Sequence, residues 1–318
     1  MPIVDVRDLR KNYSGEQALT GVTFSVETGK LFGIIGADGA GKTTLMRILV
    51  TLLNADSGEA QILNYNIVND IRILRSKIGY MPQRFSLYGD LSVKENLTFF
   101  ADVFNINGKE RKERMAKLLQ FSRLERFQQR RASNLSGGMK QKLALSCALI
   151  HSPKLLILDE PTTGVDPVSR REFWDILKEL RNDGVTIIVS TPYMDEAEMC
   201  DELLIMHNGK VLKKGTPTGL IGDYPYNLYR VASNNKTVTC SNRITQPDSV
   251  VQMYPSGGAV HVAVRKNFPV DACWKNQLLT LINGAEIIEK VQPDIEDLFF
   301  MLIAENGNQT TNIKNNNA

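Results

Sequence analysis

The sequence is poor in long apolar runs. Residues 155–158 are all Leu or Ile, but Asp159 and Glu160 follow at once. A spanning helix needs ~20 apolar residues in a row, and no segment reaches that length. Cysteine is scarce as well. Cys147, Cys200, Cys240 and Cys273 lie far apart and form no C-x-x-C pair. They read as four reduced thiols in a cytoplasmic chain, not as a disulfide framework. The start, Met1-Pro2-Ile3-Val4-Asp5, has no basic region leading into an apolar stretch, so no secretory signal is expected. An excess of one charge is missing too. The chain has 38 Lys+Arg against 35 Asp+Glu, and a net +3 is too small to imply nucleic-acid binding by itself.

What is present is ordinary in bulk. A composition 42% hydrophobic and 23% charged excludes wholesale disorder. A length of 318 residues suggests about two domains. Over residues 1–220, short β-branched or apolar runs alternate with helical patterns. Strands are expected at 3–6, 22–26, 31–35, 155–158, 186–190 and 203–207. Helices are expected at 43–53, 92–104, 109–120, 140–150 and 169–182. That alternation predicts an α/β domain with a largely parallel sheet. The texture changes near Tyr224-Pro225-Tyr226. Residues 221–304 read as a small α+β domain, with strands at 228–232, 237–240, 250–254 and 260–264. Its helices are expected at 270–282 and 294–304. The Asn-rich stretch 305–318 is expected to be a disordered tail.

Gly36-Ala37-Asp38-Gly39-Ala40-Gly41-Lys42-Thr43-Thr44 fits the phosphate-loop pattern G-x-x-x-x-G-K-[ST], between a strand and a helix. Glycines let backbone N–H groups turn inward around an anion. The helix N-terminus adds about half a positive charge at the same place. Lys42 supplies a full charge to the outer phosphates, and the Thr43 hydroxyl is placed to ligate Mg²⁺. Further on, the 155–158 strand ends in Asp159-Glu160. Ligands of parallel sheets sit beyond the C-terminal strand ends. There Asp159 can hold Mg²⁺, directly or through water, and Glu160 can polarise or deprotonate an attacking water. Taken alone, the two acids also fit an ordinary solvated strand end.

Between these motifs lies Leu135-Ser136-Gly137-Gly138-Met139-Lys140-Gln141. It resembles the LSGGQ-type signature of ATP-binding-cassette (ABC) proteins, with Met139 where the family usually has Gln. A Ser hydroxyl and Gly amides at a helix start make a second anion site. The resemblance covers about two-thirds of the chain. It implies a P-loop NTPase ABC cassette with a RecA-like core and a helical subdomain at about 84–140. It also implies a head-to-tail dimer in which Ser136, Gly137 and Gly138 meet the ATP held by the opposite subunit. Tyr13 matches the aromatic that stacks on adenine. Gln83, in Tyr80-Met81-Pro82-Gln83, matches the Q-loop glutamine that touches Mg²⁺ or the attacking water. Asp166, in Gly164-Val165-Asp166-Pro167, matches the D-loop acid that reaches across the dimer. On this reading Lys42, Gln83 and Glu160 are catalytic, and Thr43, Gln83 and Asp159 hold Mg²⁺.

One departure stands out. The family usually reads S-T-H after the next strand, with its His on the γ-phosphate, whereas this chain has Ser190-Thr191-Pro192-Tyr193. Proline supplies neither a side-chain donor nor an N–H. Slow hydrolysis is expected, with Thr191 or Tyr193 as partial substitutes. Residues 109–131 hold nine Lys/Arg and three Glu, a local +6. They read as a solvated helical face, or as a surface for anionic lipid or an acidic loop of a membrane partner. Residues 87–104, 164–172 and 193–198 resemble the drug and multi-substrate exporter branch. That branch implies a separate six-helix permease, which would dock by the 87–104 segment. It also implies a second ABC ATPase chain, a C-terminal extension closing at Pro293–Phe300, and a place on the cytoplasmic membrane face. No nucleic acid is expected. Two alternatives remain open: an ATP-binding regulatory subunit with little turnover, and a soluble ABC ATPase acting on ribosomes or nucleic acid. The second is disfavoured by a single cassette and by the short stretch between Lys42 and Leu135, which has no room for a long coiled coil.

Overall fold

The computed structural model describes residues 2–84, 86–233, 239–240 and 249–315. The chain divides into two compact units, Met1–Pro217 and Thr218–Ala318. The division falls three positions before the boundary read at residue 220.

Unit 1 opens with β1 (Pro2–Tyr13) and β2 (Glu16–Glu27), which are antiparallel. Ser14 and Gly15 join them, both with positive φ (46° and 97°), as a tight two-residue hairpin requires. Next come β3 (Leu31–Ile35), buried along its whole length, and α1 (Lys42–Leu49). The helix ends before the expected residue 53. Thr51 turns left-handed (φ 60°), and Arg75 fixes that turn through the Thr51 hydroxyl and carbonyl at 3.0 and 2.9 Å. Then follow β4 (Ser57–Ile62), β5 (Tyr65–Asn66), α2 (Ile71–Arg75), β6 (Ile78–Met81), α3 (Val93–Val103), α4 (Gly108–Ser122) and α5 (Gly137–Leu149). Unit 1 closes with β7 (Leu155–Asp159), α6 (Pro167–Asn182), β8 (Thr186–Thr191), α7 (Met194–Ala197), β9 (Glu202–His207) and β10 (Lys210–Gly215).

Two sheets organise these elements. The first has the order β2-β1-β4-β5, with antiparallel pairings throughout. The second has the order β10-β9-β3-β8-β7-β6 and is parallel except for its edge pair β9–β10. β3, β7 and β8 are buried residue by residue, as central parallel strands must be. Helices α3, α4 and α5 enclose a separate small core of Val93, Leu97, Met115, Leu119, Leu143 and Cys147. Ser92 starts α3 with a reciprocal cap: its hydroxyl accepts from Glu95 N while Glu95 accepts from Ser92 N.

In unit 2, α8 (Pro217–Gly222) leads to β11 (Tyr226–Ala232), β12 (Thr239–Cys240), β13 (Val250–Ser256) and β14 (Ala259–Arg265). After these come α9 (Ala272–Leu281), β15 (Ile282–Asn283), β16 (Ile287–Val291) and α10 (Ile295–Asn315). Four strands pair antiparallel in the order β13-β14-β11-β16. Trp274 and Leu278 of α9 bury against Val231, Val260 and Val262. The expected strand at 237–240 lies partly outside the described residues. The stretch expected as a disordered tail is helical through Asn315. Once a helix is nucleated, each further residue adds a hydrogen bond for little extra ordering cost.

Candidate functional site

The C-terminal edge of the parallel sheet gathers the motifs. The loop after β3 is shaped by two close approaches. A Cβ on Gly36 would lie 2.3 Å from the Met206 carbonyl, and one on Gly41 would lie 2.5 Å from the Ala18 carbonyl. Gly41 is also left-handed, at φ 98°. No larger residue fits either place. Asp38 and Gly39 lie exposed at the loop tip, Ala40 is buried, and Thr44 continues α1.

Lys42 begins α1 and is buried. Its ammonium donates to Gly36 O at 2.8 Å and Ala37 O at 3.1 Å, and lies 3.3 Å from Glu160 Oε1. Glu160 follows β7 with φ at 48°, a costly conformation for a residue with a side chain. It is nevertheless held on several sides. Its N–H donates to Ser190 Oγ at 3.0 Å, and its Oε2 accepts from Gln83 Nε2 at 2.8 Å. The Thr163 hydroxyl adds a longer contact to the same oxygen at 3.4 Å.

Asp159 is fully buried. Its Oδ1 accepts from Ser190 Oγ at 2.8 Å and from Thr43 Oγ1 at 3.2 Å. Its Oδ2 has no partner. Burial raises its pKa above the ordinary carboxylate value. The Ser190 and Thr43 hydrogen bonds oppose that rise, and the neighbouring Glu160 charge adds to it. An unpartnered buried carboxylate oxygen beside a hydroxyl is a donor set that suits a hard cation. Among the described residues no group of three or more His, Cys, Asp or Glu could hold a metal unaided.

The remaining sequence candidates lie elsewhere on unit 1. Tyr13 ends β1, 43% exposed, with Lys11 Nζ 5.7 Å from its ring centroid. Ser136 caps α5, accepting from Met139 N at 3.4 Å, and Ser136 and Gly137 are exposed. Gly138 has a packing reason for its size, because a Cβ there would meet Ser169 Oγ of α6 at 2.5 Å. Asp166 caps α6 through Ser169 N at 2.9 Å, and that hydrogen bond lowers its pKa. Lys42, Thr43, Gln83, Asp159 and Glu160 are thus joined by direct contacts, while Tyr13, Ser136 and Asp166 are not part of that cluster.

Two features escape the sequence reading. Ser190 bridges both acids, because parallel pairing sets it opposite Asp159. Beyond β8, the buried Glu196 carboxylate accepts from Thr162 Oγ1 at 2.8 Å, Thr191 Oγ1 at 2.5 Å and Arg170 Nε at 3.0 Å. Thr191 and Tyr193, expected as partial substitutes for the missing histidine, are both engaged within this cluster. The Thr191 hydroxyl is spent on Glu196 and on accepting from Tyr193 N, and the Tyr193 ring lies 4.1 Å under the Arg170 guanidinium.

Comparison with known proteins places the chain. A family model described as ABC transporter matches residues 19–163. The Nod factor export ATP-binding protein I of Rhizobium etli is 38% identical over 224 residues, covering 70% of this chain and 71% of that one. The chain belongs to the ABC transporter ATP-binding family. Cassettes of this family are ATPases that bind ATP and ADP. The probable multidrug ABC transporter ATP-binding protein YbhF of Escherichia coli is 38% identical over 312 residues, or 96% of this chain. The chain spans about half of YbhF's length (53%). Among solved structures, cbiO1 of Clostridium perfringens, part of the transporter complex cbiONQ, superposes with a TM-score of 0.65 at 31% identity. It covers 70% of this chain and 91% of that one. The dimeric post-hydrolysis cassette MJ0796 bound to ADP and Pi gives a TM-score of 0.62 at 27% identity, covering 67% and 98%. The P-loop ABC fold expected from the motifs is the fold observed. No helix among the described residues is long and apolar enough to cross a membrane.

Proposed function

We propose that this chain hydrolyses ATP as the motor subunit of an exporter. It pairs head to tail with a second ABC cassette around two ATP molecules and drives a separate transmembrane permease from the cytoplasmic face. One observation carries the reading: buried Glu160 sits 3.3 Å from the phosphate-loop Lys42 and 2.8 Å from Gln83. That is where a water attacking the last phosphate would meet a base. In this arrangement Lys42 turns from its loop carbonyls to the outer phosphates. Glu160 takes the water's proton, aimed by its constrained backbone and by Ser190. Thr43, Asp159 and Gln83 would hold Mg²⁺, which fits the open Oδ2 of Asp159. Bound Mg²⁺ neutralises charge on the phosphates. Tyr13 stacks on adenine. Ser136, Gly137, Gly138 and Asp166 act on the nucleotide of the opposite cassette. A groove of about 280 Å³ lined by Leu52, Tyr80, Pro82, Leu87, Phe100 and Phe104 supports permease docking beside Gln83. The names of the relatives, multidrug and Nod factor export, support the exporter branch.

The purified chain is expected to turn over ATP. Glu160→Gln is expected to cut that rate ~10²–10⁴-fold while fluorescent ATP still binds. Equal rates in the two proteins would overturn the reading. A second reading, a regulatory cassette with little turnover, is favoured by Pro192 and by the committed Thr191 hydroxyl. If the missing histidine limits hydrolysis, Pro192→His raises kcat by about tenfold or more. An unchanged or lower rate removes that explanation.

A further inference from the structure

We infer that unit 1 carries a second binding site, for a single-chain amphiphilic anion, at the opposite edge of the parallel sheet from the phosphate loop. A cavity of about 800 Å³ opens there, within the usual 300–1,000 Å³ of small-molecule pockets. Lys77, Lys154 and Val185 line it and directly precede β6, β7 and β8. The phosphate loop and Asp159 lie at the far ends of β3 and β7. A strand of five residues at ~3.3 Å each separates the two edges by roughly 15 Å. The cavity is therefore not the nucleotide site.

Its lining has two characters. Ile3, Leu149, Pro153 and Leu180 form a buried apolar floor, and the Tyr65 ring flanks it. Four cations, Lys77, Arg114, Lys117 and Lys154, stand around it against a single acid, Asp183. Arg114 is already engaged, donating to Ile150 O at 2.9 Å and Glu110 Oε1 at 2.5 Å. Lys77 Nζ sits 5.9 Å from the Tyr65 ring centroid. Lys117 and Lys154 are exposed and have no ion pair among the described residues. A ligand that suits this lining has an apolar chain for the floor and one anionic head for the two free lysines. A neutral chain leaves the cations unused, and a bare inorganic anion leaves the floor unfilled.

The basic helix α4 gains a specific reason from this. Arg114, Lys117, Leu118 and Phe121 all line the cavity, and their i, i+3, i+4, i+7 spacing makes them one helix face. That face carries both the positive charge and the apolar surface the ligand needs.

The test is calorimetric titration of the full chain with decanoate, decyl phosphate and 1-decanol, each below its aggregation limit, and with inorganic phosphate. Saturable one-to-one binding is expected for one or both decyl anions. Which of them binds tighter identifies a carboxylate or a phosphate head. Decanol and inorganic phosphate should bind at least about tenfold more weakly. The double variant Lys117→Glu/Lys154→Glu should weaken the decyl anions by about tenfold or more and leave ATP affinity unchanged. Both lysines are exposed, so the variant keeps the fold, which its retained ATP affinity verifies. Four outcomes would overturn the site: no saturable binding of either decyl anion, decanol binding as tightly, inorganic phosphate binding as tightly, or indifference to the double charge reversal. Binding of anionic phospholipid vesicles without binding of free decyl anions would also overturn it, by making the lysines a membrane-facing surface.

Discussion

Among the described residues each unit buries one aspartate almost completely, and the two are treated in opposite ways. Asp159 in unit 1 has one oxygen shared by Ser190 and Thr43 and the other left bare. Burial raises its pKa. Asp297 in unit 2 is saturated. Its Oδ1 accepts from the Tyr254 hydroxyl at 2.7 Å and lies 2.6 Å from His261 Nδ1, and its Oδ2 accepts from Asp294 N at 2.8 Å. Burial works against its charge as well, but the His261 and Tyr254 hydrogen bonds outweigh burial and hold its pKa below the usual value. A buried charge with both oxygens met is a structural joint. One with an oxygen left open is poised for a ligand, at some cost to the fold. The contrast separates an acid left open to a ligand from one tied into the fold.

The sharpest test removes the saturated acid. Asp297→Ala leaves Tyr254 and His261 buried without their acceptor. Breaking a buried pair in this way costs about 3–5 kcal/mol. Hydrogen-exchange mass spectrometry should show β13, β14 and α10 losing protection together, while α1, β3 and β7 keep theirs. A loss below about 1 kcal/mol would erase the distinction between the two aspartates.

The converse change should do far less to the fold. Asp159→Asn keeps an oxygen acceptor and removes a charge that unit 1 does not neutralise. Without nucleotide, the melting temperature should hold or rise, by up to about 1 kcal/mol of stability. What should vanish is the extra stability from Mg²⁺-ATP, which for a ligand at a hundred times its Kd is about 2.7 kcal/mol. Thermal melts with and without Mg²⁺-ATP measure both terms. A several-degree drop in the nucleotide-free melt would mean that Asp159 is a structural joint after all.

How far the sequence carries depends on whether a signal is local. The phosphate loop and the Asp159–Glu160 strand end are legible because their chemistry demands fixed residue types at fixed spacing. β3, β7 and β8 are legible because burial on both faces writes continuous apolar runs. β4 and β10 are not. Ser57–Ile62 is mostly exposed and Lys210–Gly215 mostly half-buried, both rich in polar residues, and only the ladder to a neighbouring strand makes them strands. α5 begins at Gly137 rather than at the expected 140, since the Ser136 cap overrides the poor helix propensity of two glycines. Ser190 and the Arg170–Glu196 contact are invisible for another reason. Each depends on residues brought together from distant positions, Asp159 with Ser190 by parallel register and Arg170 with Glu196 by helix packing.

The smallest effect sharpens the contrast through histidine. His151 stacks on Phe104 with ring centroids 3.8 Å apart, its Nε2 lies 3.2 Å from Ile78 O, and its Nδ1 is buried without a partner. Burial lowers its pKa from 6.5 to about 4, with nearby Arg114 adding to the shift. In the folded state it therefore stays neutral while the unfolded chain takes up a proton, so this group takes stability from unit 1 as pH falls from 6.5 toward 4, while the raised pKa of Asp159 works in the opposite direction. The slope from this one group is at most about 1.4 kcal/mol per pH unit. Asp297 has the other sign of origin. Its pKa is lowered from 3.8, so its contribution to unit 2 is present above 3.8 and is lost only as pH falls through its lower folded value. Between pH 6.5 and 4, then, hydrogen exchange corrected for intrinsic rates should show a loosening of unit 1 that depends on His151. His151→Gln, which can still donate to Ile78 O, should flatten the dependence in unit 1 alone. An unchanged slope in that variant would mean that His151 is not the group that makes unit 1 acid-sensitive in this window.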